Sequence, residues 1–273
     1  MEFIQSFMQF LASEMTKPVP YQSFKESWFH YVSLVIVIIA AVVFSKILRN
    51  ASEKRLRKFL LIFAIVLISF EVYKQLIFTY DNAWHYRWYA FPFQFCSTPM
   101  YVALYASLTK NKKIREYLIA FLGTFGTFAG LAVMLYPMTV FISTIGINIQ
   151  TMVHHGGMAA VGIALLSTQV KLESKTILKG TVVFSVLVGI AIILNGVHNS
   201  WIADGTFNMF FVNPIYRNEL PVLTMIQPLV PHIVFLFIYI FGFMFVSYIV
   251  LLAGMITHKV RQRALVLVPS HSK

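Results

Sequence analysis

Apolar residues run along this chain in seven long blocks separated by short polar or basic turns. Each block is long enough to cross roughly 30 Å of hydrocarbon as a helix rising about 1.5 Å per residue. The blocks are Trp28–Ile47, Phe59–Thr79, Ala90–Leu108, Tyr117–Tyr136, Ile147–Gln169, Ile177–Asn195 and Pro231–Ile256. The pattern predicts an all-α membrane protein, a seven-transmembrane-helix bundle spanning residues 28–256. A 27-residue segment precedes it and a basic tail, 257–273, follows it.

Composition sharpens this picture. Hydrophobic residues make up 58% of the 273 positions and charged residues 12%, about half the usual share of a soluble domain. That is too little charge to coat a water-exposed surface, and lipid as the solvent removes the need for it. The excess of 22 Lys and Arg over 10 Asp and Glu does not point to nucleic acid, because the basic residues form short clusters between apolar blocks. A single cysteine, Cys96, excludes an internal disulfide framework and a Cys-rich zinc site. The first apolar block is too long for a signal-peptide core and lacks a small-residue exit, so no cleaved leader is expected.

The basic clusters give an orientation. Lys46, Arg49, Lys54, Arg55, Arg57 and Lys58 follow the first block, and Lys110, Lys112, Lys113 and Arg115 the third. Lys171, Lys175 and Lys179 surround the turn after the fifth block; Lys259, Arg261, Arg263 and Lys273 follow the seventh. Only Glu53, Glu116 and Glu173 accompany them. By the positive-inside rule these segments are cytoplasmic, placing the N-terminus outside and the C-terminus in the cytoplasm of a multi-pass cell-membrane protein.

Phe3, Phe7, Phe10 and Leu11 recur at helical spacing, as in a helix lying flat on the outer interface. In the fourth block Gly126-x-x-x-Gly130, with Gly123 and Thr127, offers a face for close backbone packing. The outer loop Asn199–Val230 is rich in aromatic residues and proline and is expected to fold over the bundle. There is no internal repeat of the kind inverted-repeat transporters carry.

Polar residues inside spans are costly, and here they share a depth. Glu71 lies ~12 Å from the outer end of its block, Cys96 ~9 Å and His155 ~12 Å. Lys74, Gln94, Gln150 and His154 occupy the same layer, and Asn195 and His198 sit at its mouth. Singly, each has a bland explanation. A lone Cys is usually a small hydrophobe, an intramembrane His is often a satisfied core residue, and Glu71 and Lys74 can neutralise each other across one turn. Coincidence from four blocks favours one outward-facing polar chamber.

Cys–His chemistry suits such a layer. An imidazole converts the thiol to thiolate and then protonates a leaving group. Glu71, Asn195 or Gln150 would orient the imidazole as the third member of a triad does. Three His with Glu71 could hold zinc, but the paired H-x-x-x-H is missing and the adjacent His154 and His155 point about 100° apart. No G-x-S-x-G, P-loop or dinucleotide fingerprint occurs. No metal or cofactor is expected.

FPFQFCSTPMYVAL, Phe91–Leu104, resembles the "LPLHLC" stretch of the YwaF-type bacterial integral membrane proteins. So do a Gly-rich helix ending in Tyr136-Pro137, QTMVHHGG at Gln150–Gly157, Asn195 and Asn213-Pro214. The resemblance spans roughly Phe59–Ile256, and that family is similar to a eukaryotic transmembrane acyltransferase that remodels ether phospholipids. It implies Cys96 as nucleophile and His155, ahead of His154, as the catalytic imidazole. Gln94 departs from the pattern, which has His before the Cys. The leading expectation is therefore a lipid acyltransferase acting on a phospholipid or lysophospholipid from the outer leaflet. The alternatives are a small-solute or ion transporter built on Glu71, Lys74 and His155, and a non-catalytic membrane scaffold.

Overall fold

Capping residues set where the helices begin. Ser52 accepts the amide of Arg55 at the start of one helix, and Asn111 Oδ1 accepts those of Lys113 and Ile114 at the start of another. The structure, a computed structural model, describes residues 2–267, so the end of the basic tail, Lys273 included, lies outside the described residues. The helices are α1 (Glu2–Leu11), α2 (Phe24–Leu48), α3 (Glu53–Tyr80), α4 (Thr98–Leu108), α5 (Lys112–Phe121), α6 (Thr127–Leu135), α7 (Ile145–Thr168), α8 (Thr176–Val197), the short α9 (Leu223–Ile226) and α10 (His232–Leu267). A π-helical segment, Leu122–Gly126, joins α5 and α6 into one rod. Six helical rods are long and apolar enough to cross a membrane: α2, α3, α5–α6, α7, α8 and α10.

The third apolar block departs from the pattern. It was expected to be helical from Ala90, but only α4, its second half, is a long helix. Pro92 lacks an amide donor and pushes Phe91 into an extended conformation, φ −48° and ψ 135°. Phe91–Ser97 therefore runs irregularly beside α3. Gln75 Nε2 donates to Ala90 O at 2.6 Å near one end of α3, and Arg57 Nε to Ser107 O at 2.7 Å near the other. Those two rungs are about 27 Å apart along α3. α10 also differs, continuing as helix well past Ile256.

α7 is the central helix: 78% of its apolar stretch is buried, against 17% of α2, which turns Val35, Ile36, Ile38 and Ile39 outward. α6 and α7 touch at the backbone. A Cβ on Gly130 would lie 2.5 Å from both His155 O and Ala159 N, so only glycine fits. At the basic end, Glu53 pairs with Arg115 at 2.8 Å and Glu116 with Lys179 at 2.7 Å, tying α3, α5 and α8 together. At the opposite end α1 lies on the bundle. It buries Met8 against Ile77 and Ile147 and leaves Phe3, Phe7 and Phe10 exposed. Glu14 pairs with Thr144, and Tyr73 Oη donates to Leu11 O at 2.7 Å.

Candidate functional site

The irregular Phe91–Ser97 segment lacks the helical ladder and must find other partners for its peptide groups, because a buried carbonyl left unpaired costs free energy. Neighbouring side chains do this one by one. Ala90 O accepts from Gln75, Pro92 O from Tyr101 Oη at 3.0 Å, and Phe95 O from Thr98 Oγ1 at 3.0 Å. Cys96 O lies 3.1 Å from His154 Nε2. Phe95 anchors the segment among Phe121, Phe184, Phe210 and Phe243. Cys96 itself is a half-buried free thiol.

A carbonyl only accepts, so the proton of His154 sits on Nε2 and its Nδ1 carries the lone pair. That Nδ1 is buried and finds no hydrogen-bond partner among the described residues. His155 is fixed in the other tautomer, with Nδ1 donating to Thr151 O at 2.8 Å. The two rings are 5.9 Å apart. The sequence analysis favoured His155 as the partner of Cys96; the imidazole that reaches the Cys96 backbone is that of His154. Glu71 and Asn195, expected to orient an imidazole, do not bond either ring; the carbonyls of Cys96 and Thr151 do that work.

On α3, Glu71 is buried and its Oε1 is held by Lys74 Nζ at 2.8 Å and by Gln75 Nε2 at 2.7 Å. Its Oε2 has no partner among the described residues. The Lys74 ammonium acts electrostatically on Cys96, His154 and His155, and the Glu71 carboxylate acts on Cys96, Tyr86 and Tyr101. Outside the spans, burial and then the charge of Glu71 push the Tyr86 phenol up to about 12, so it stays a neutral donor.

The other expected residues form a second group with a different task. Gln94 clamps the loop between α8 and α10 to the Cys96 segment, donating to Asn208 O and accepting from Phe210 N, both at 2.9 Å. Asn195 holds both sides of the Met209 peptide, and Asn213 pairs reciprocally with Asn199 at 3.0 Å. His198 bonds Asp204 O at 3.1 Å and stacks on Phe207. Gln150 is buried on α7, where its Oε1 accepts from the Thr151 hydroxyl at 3.4 Å. The single chamber expected from depth is thus two groups: Cys96, His154, His155, Glu71 and Lys74 in one, and an amide network that holds the loop between α8 and α10 in the other. Sequence reasoning missed Gln75, Tyr101, Tyr86 and Asn208. Gln75 was legible as the residue one turn beyond Glu71; Tyr86 and Asn208 come from loops, where helical depth gives no signal.

These features define a multi-pass helical membrane protein with Cys, His and carboxylate side chains gathered around a non-helical segment. Over residues 24–259 the chain matches the TMEM164 family, a family of transmembrane proteins, and it belongs to that family. No curated protein and no solved structure matches it.

Proposed function

We propose that this protein is a membrane-embedded acyltransferase acting on phospholipids, with Cys96 as nucleophile and His154 as its base. The observation that carries the reading is the His154–Cys96 pairing. The backbone of the cysteine fixes the tautomer of the imidazole and leaves Nδ1 as a buried, unpartnered lone pair on the ring that is hydrogen-bonded to the Cys96 carbonyl. His154 Nδ1 would take the thiol proton as Sγ attacks the ester carbonyl of a donor phospholipid. The ester C–O bond breaks, the proton passes to the leaving oxygen, and an acyl thioester and a lysophospholipid result. An acceptor lysophospholipid hydroxyl then gives its proton to His154, attacks the thioester and restores the thiol. Lys74 supplies positive charge near the developing oxyanion and thiolate. The likeness to the YwaF-type proteins and their acyltransferase relative supports the same chemistry, with the imidazole moved by one residue from its motif match.

We read the basic end as cytoplasmic. The Gln75–Ala90 and Arg57–Ser107 rungs support a seventh crossing through Phe91–Leu108, with the N-terminus outside a cell membrane.

The rival role for His154 is to satisfy the Cys96 carbonyl and nothing more. Lipid profiling combined with thiol labelling separates the two. Cys96→Ala and His154→Ala should abolish lipid turnover, and His154→Gln, which keeps a donor for the carbonyl, should restore stability but not turnover. Turnover that survives both alanine variants would sink the proposal. The unpartnered Glu71 Oε2 beside Lys74 favours a second reading, ion- or proton-coupled transport. It requires solute uptake that persists in Cys96→Ala and is lost in Glu71→Gln.

A further inference from the structure

The acyl-transfer reading leaves open where a long acyl chain lies while it is attached to Cys96. Between α4, α5 and α8 runs a groove of about 480 Å³ whose walls include Tyr101, Tyr105, Tyr117, Val186 and Ile190, with Lys113 at the basic end. Val186 and Tyr105 are half exposed or more, so the groove is open along its flank. From Val182 to Ile190 it extends about 12 Å along α8. That is most of the roughly 15 Å of hydrocarbon in one leaflet.

Two contacts join this groove to the Cys96 segment. Tyr101 Oη donates to Pro92 O at 3.0 Å, and the Tyr101 ring stacks with Phe93 at 6.2 Å. One side chain therefore borders both the broken span and the groove. At the far end Lys113 makes no ion pair among the described residues, and its ammonium marks where the hydrocarbon lining gives way to the basic surface. A chain leaving the Cys96 region past Tyr101 meets apolar walls until it reaches Lys113.

We propose that this groove holds the acyl chain transferred at Cys96, carbonyl end beside Tyr101 and methyl end toward Lys113, and so selects long chains. The proposal rests on the acyl-transfer reading. A headgroup at Lys113 is disfavoured, because it would place the ester at the end of the groove remote from Cys96. The Tyr101 end borders the segment that carries Cys96, and burial of each methylene along the groove stabilises the longer chain.

The test uses the full-length protein in lipid nanodiscs, with octanoyl and oleoyl phospholipids as donors. Val186→Trp adds bulk at an exposed wall position and so leaves the core packing in place. Val72→Trp is the control, an equally exposed residue on α3 away from the groove. Val186→Trp is expected to lower oleoyl transfer about tenfold, as for about two methylenes kept from burial, and to leave octanoyl transfer within about twofold. Val72→Trp should change neither. A second measurement does not need turnover: a fatty acid with a diazirine near its methyl end, photolysed with Cys96→Ala protein, should label α5 near Ile114–Leu118 above other lipid-facing positions. Equal loss for both chain lengths, no loss for either, or labelling spread evenly over the lipid-facing surface would overturn the groove while Cys96-dependent transfer stood. Transfer independent of Cys96 would overturn the acyl-transfer reading itself.

Discussion

His154 Nε2 stands 3.1 Å from the main-chain oxygen of Cys96, across 58 residues of sequence. One hydrogen bond thereby fixes an imidazole tautomer, satisfies a carbonyl in a non-helical stretch of backbone, and joins the only cysteine to the central helix. Removing the ring leaves a buried acceptor unpaired, which costs about 1–3 kcal/mol. His154→Ala should therefore lower the unfolding temperature of detergent-solubilised protein, and His154→Gln should recover most of that loss. His155→Ala should leave the Cys96 segment in place. A cysteine-alkylation rate unchanged in His154→Ala and raised in His155→Ala would reverse this assignment.

Gly130 faces the α7 backbone with no room for a methyl group. Gly130→Ala must push α6 off α7 at His155 and Ala159, with an expected cost of about 1–3 kcal/mol. Gly196, whose Cβ would meet nothing within 4 Å, is the matched control, and Gly196→Ala should be neutral or slightly stabilising. Thermal unfolding of the two variants side by side checks this.

Asn195 satisfies both the amide and the carbonyl of Met209. Asn195→Leu, which removes donor and acceptor together, should release the loop around Phe207–Val212 from α8. Limited proteolysis should then cut within residues 203–222 markedly faster, while the rods themselves stay protected. An unchanged cleavage pattern would mean that Gln94, the Asn199–Asn213 pair and His198 hold the loop without Asn195.

Buried Glu71 and half-buried Lys74 pair on one face of α3. Removing one charge leaves the other unpaired in a low-dielectric layer, at about 3–5 kcal/mol. Glu71→Leu should therefore destabilise more than the double variant Glu71→Leu/Lys74→Leu. A double-mutant cycle by chemical denaturation measures the coupling, and purely additive effects would show that the pair is not coupled.

Tyr86 gives a pH dependence of known sign. Its phenol is held up at about 12, against about 10 in the unfolded chain, so the folded state keeps the proton longer. The stabilisation is complete below pH of about 10 and is lost as pH rises toward about 12. Unfolding temperatures measured across that window should fall less steeply in Tyr86→Phe than in the parent protein.

The sequence by itself determined the solvent and the rods. Long apolar blocks with almost no charge fit only lipid, and six of the seven became α2, α3, α5–α6, α7, α8 and α10, most with ends shifted by a few residues and α10 running on to Leu267. It also placed Glu71, Cys96 and the two histidines in one layer, because depth along a helix is a matter of counting residues. Counting failed where the helix did. Pro92 stood in plain view, yet whether an irregular backbone survives there depends on Gln75 of α3, His154 of α7 and Tyr101 of the block's own α4, which supply its hydrogen bonds. Nor could spacing choose between His154 and His155. They differ by one residue and about 100° of rotation, and which one meets Cys96 is set by how α7 is turned against its neighbours, fixed in part by the contact at Gly130. The amides at 94, 195 and 213 carried the same sequence signal as the inner layer. Tertiary structure assigned them to the loop between α8 and α10, where they satisfy buried peptide groups at Asn208, Met209 and Phe210.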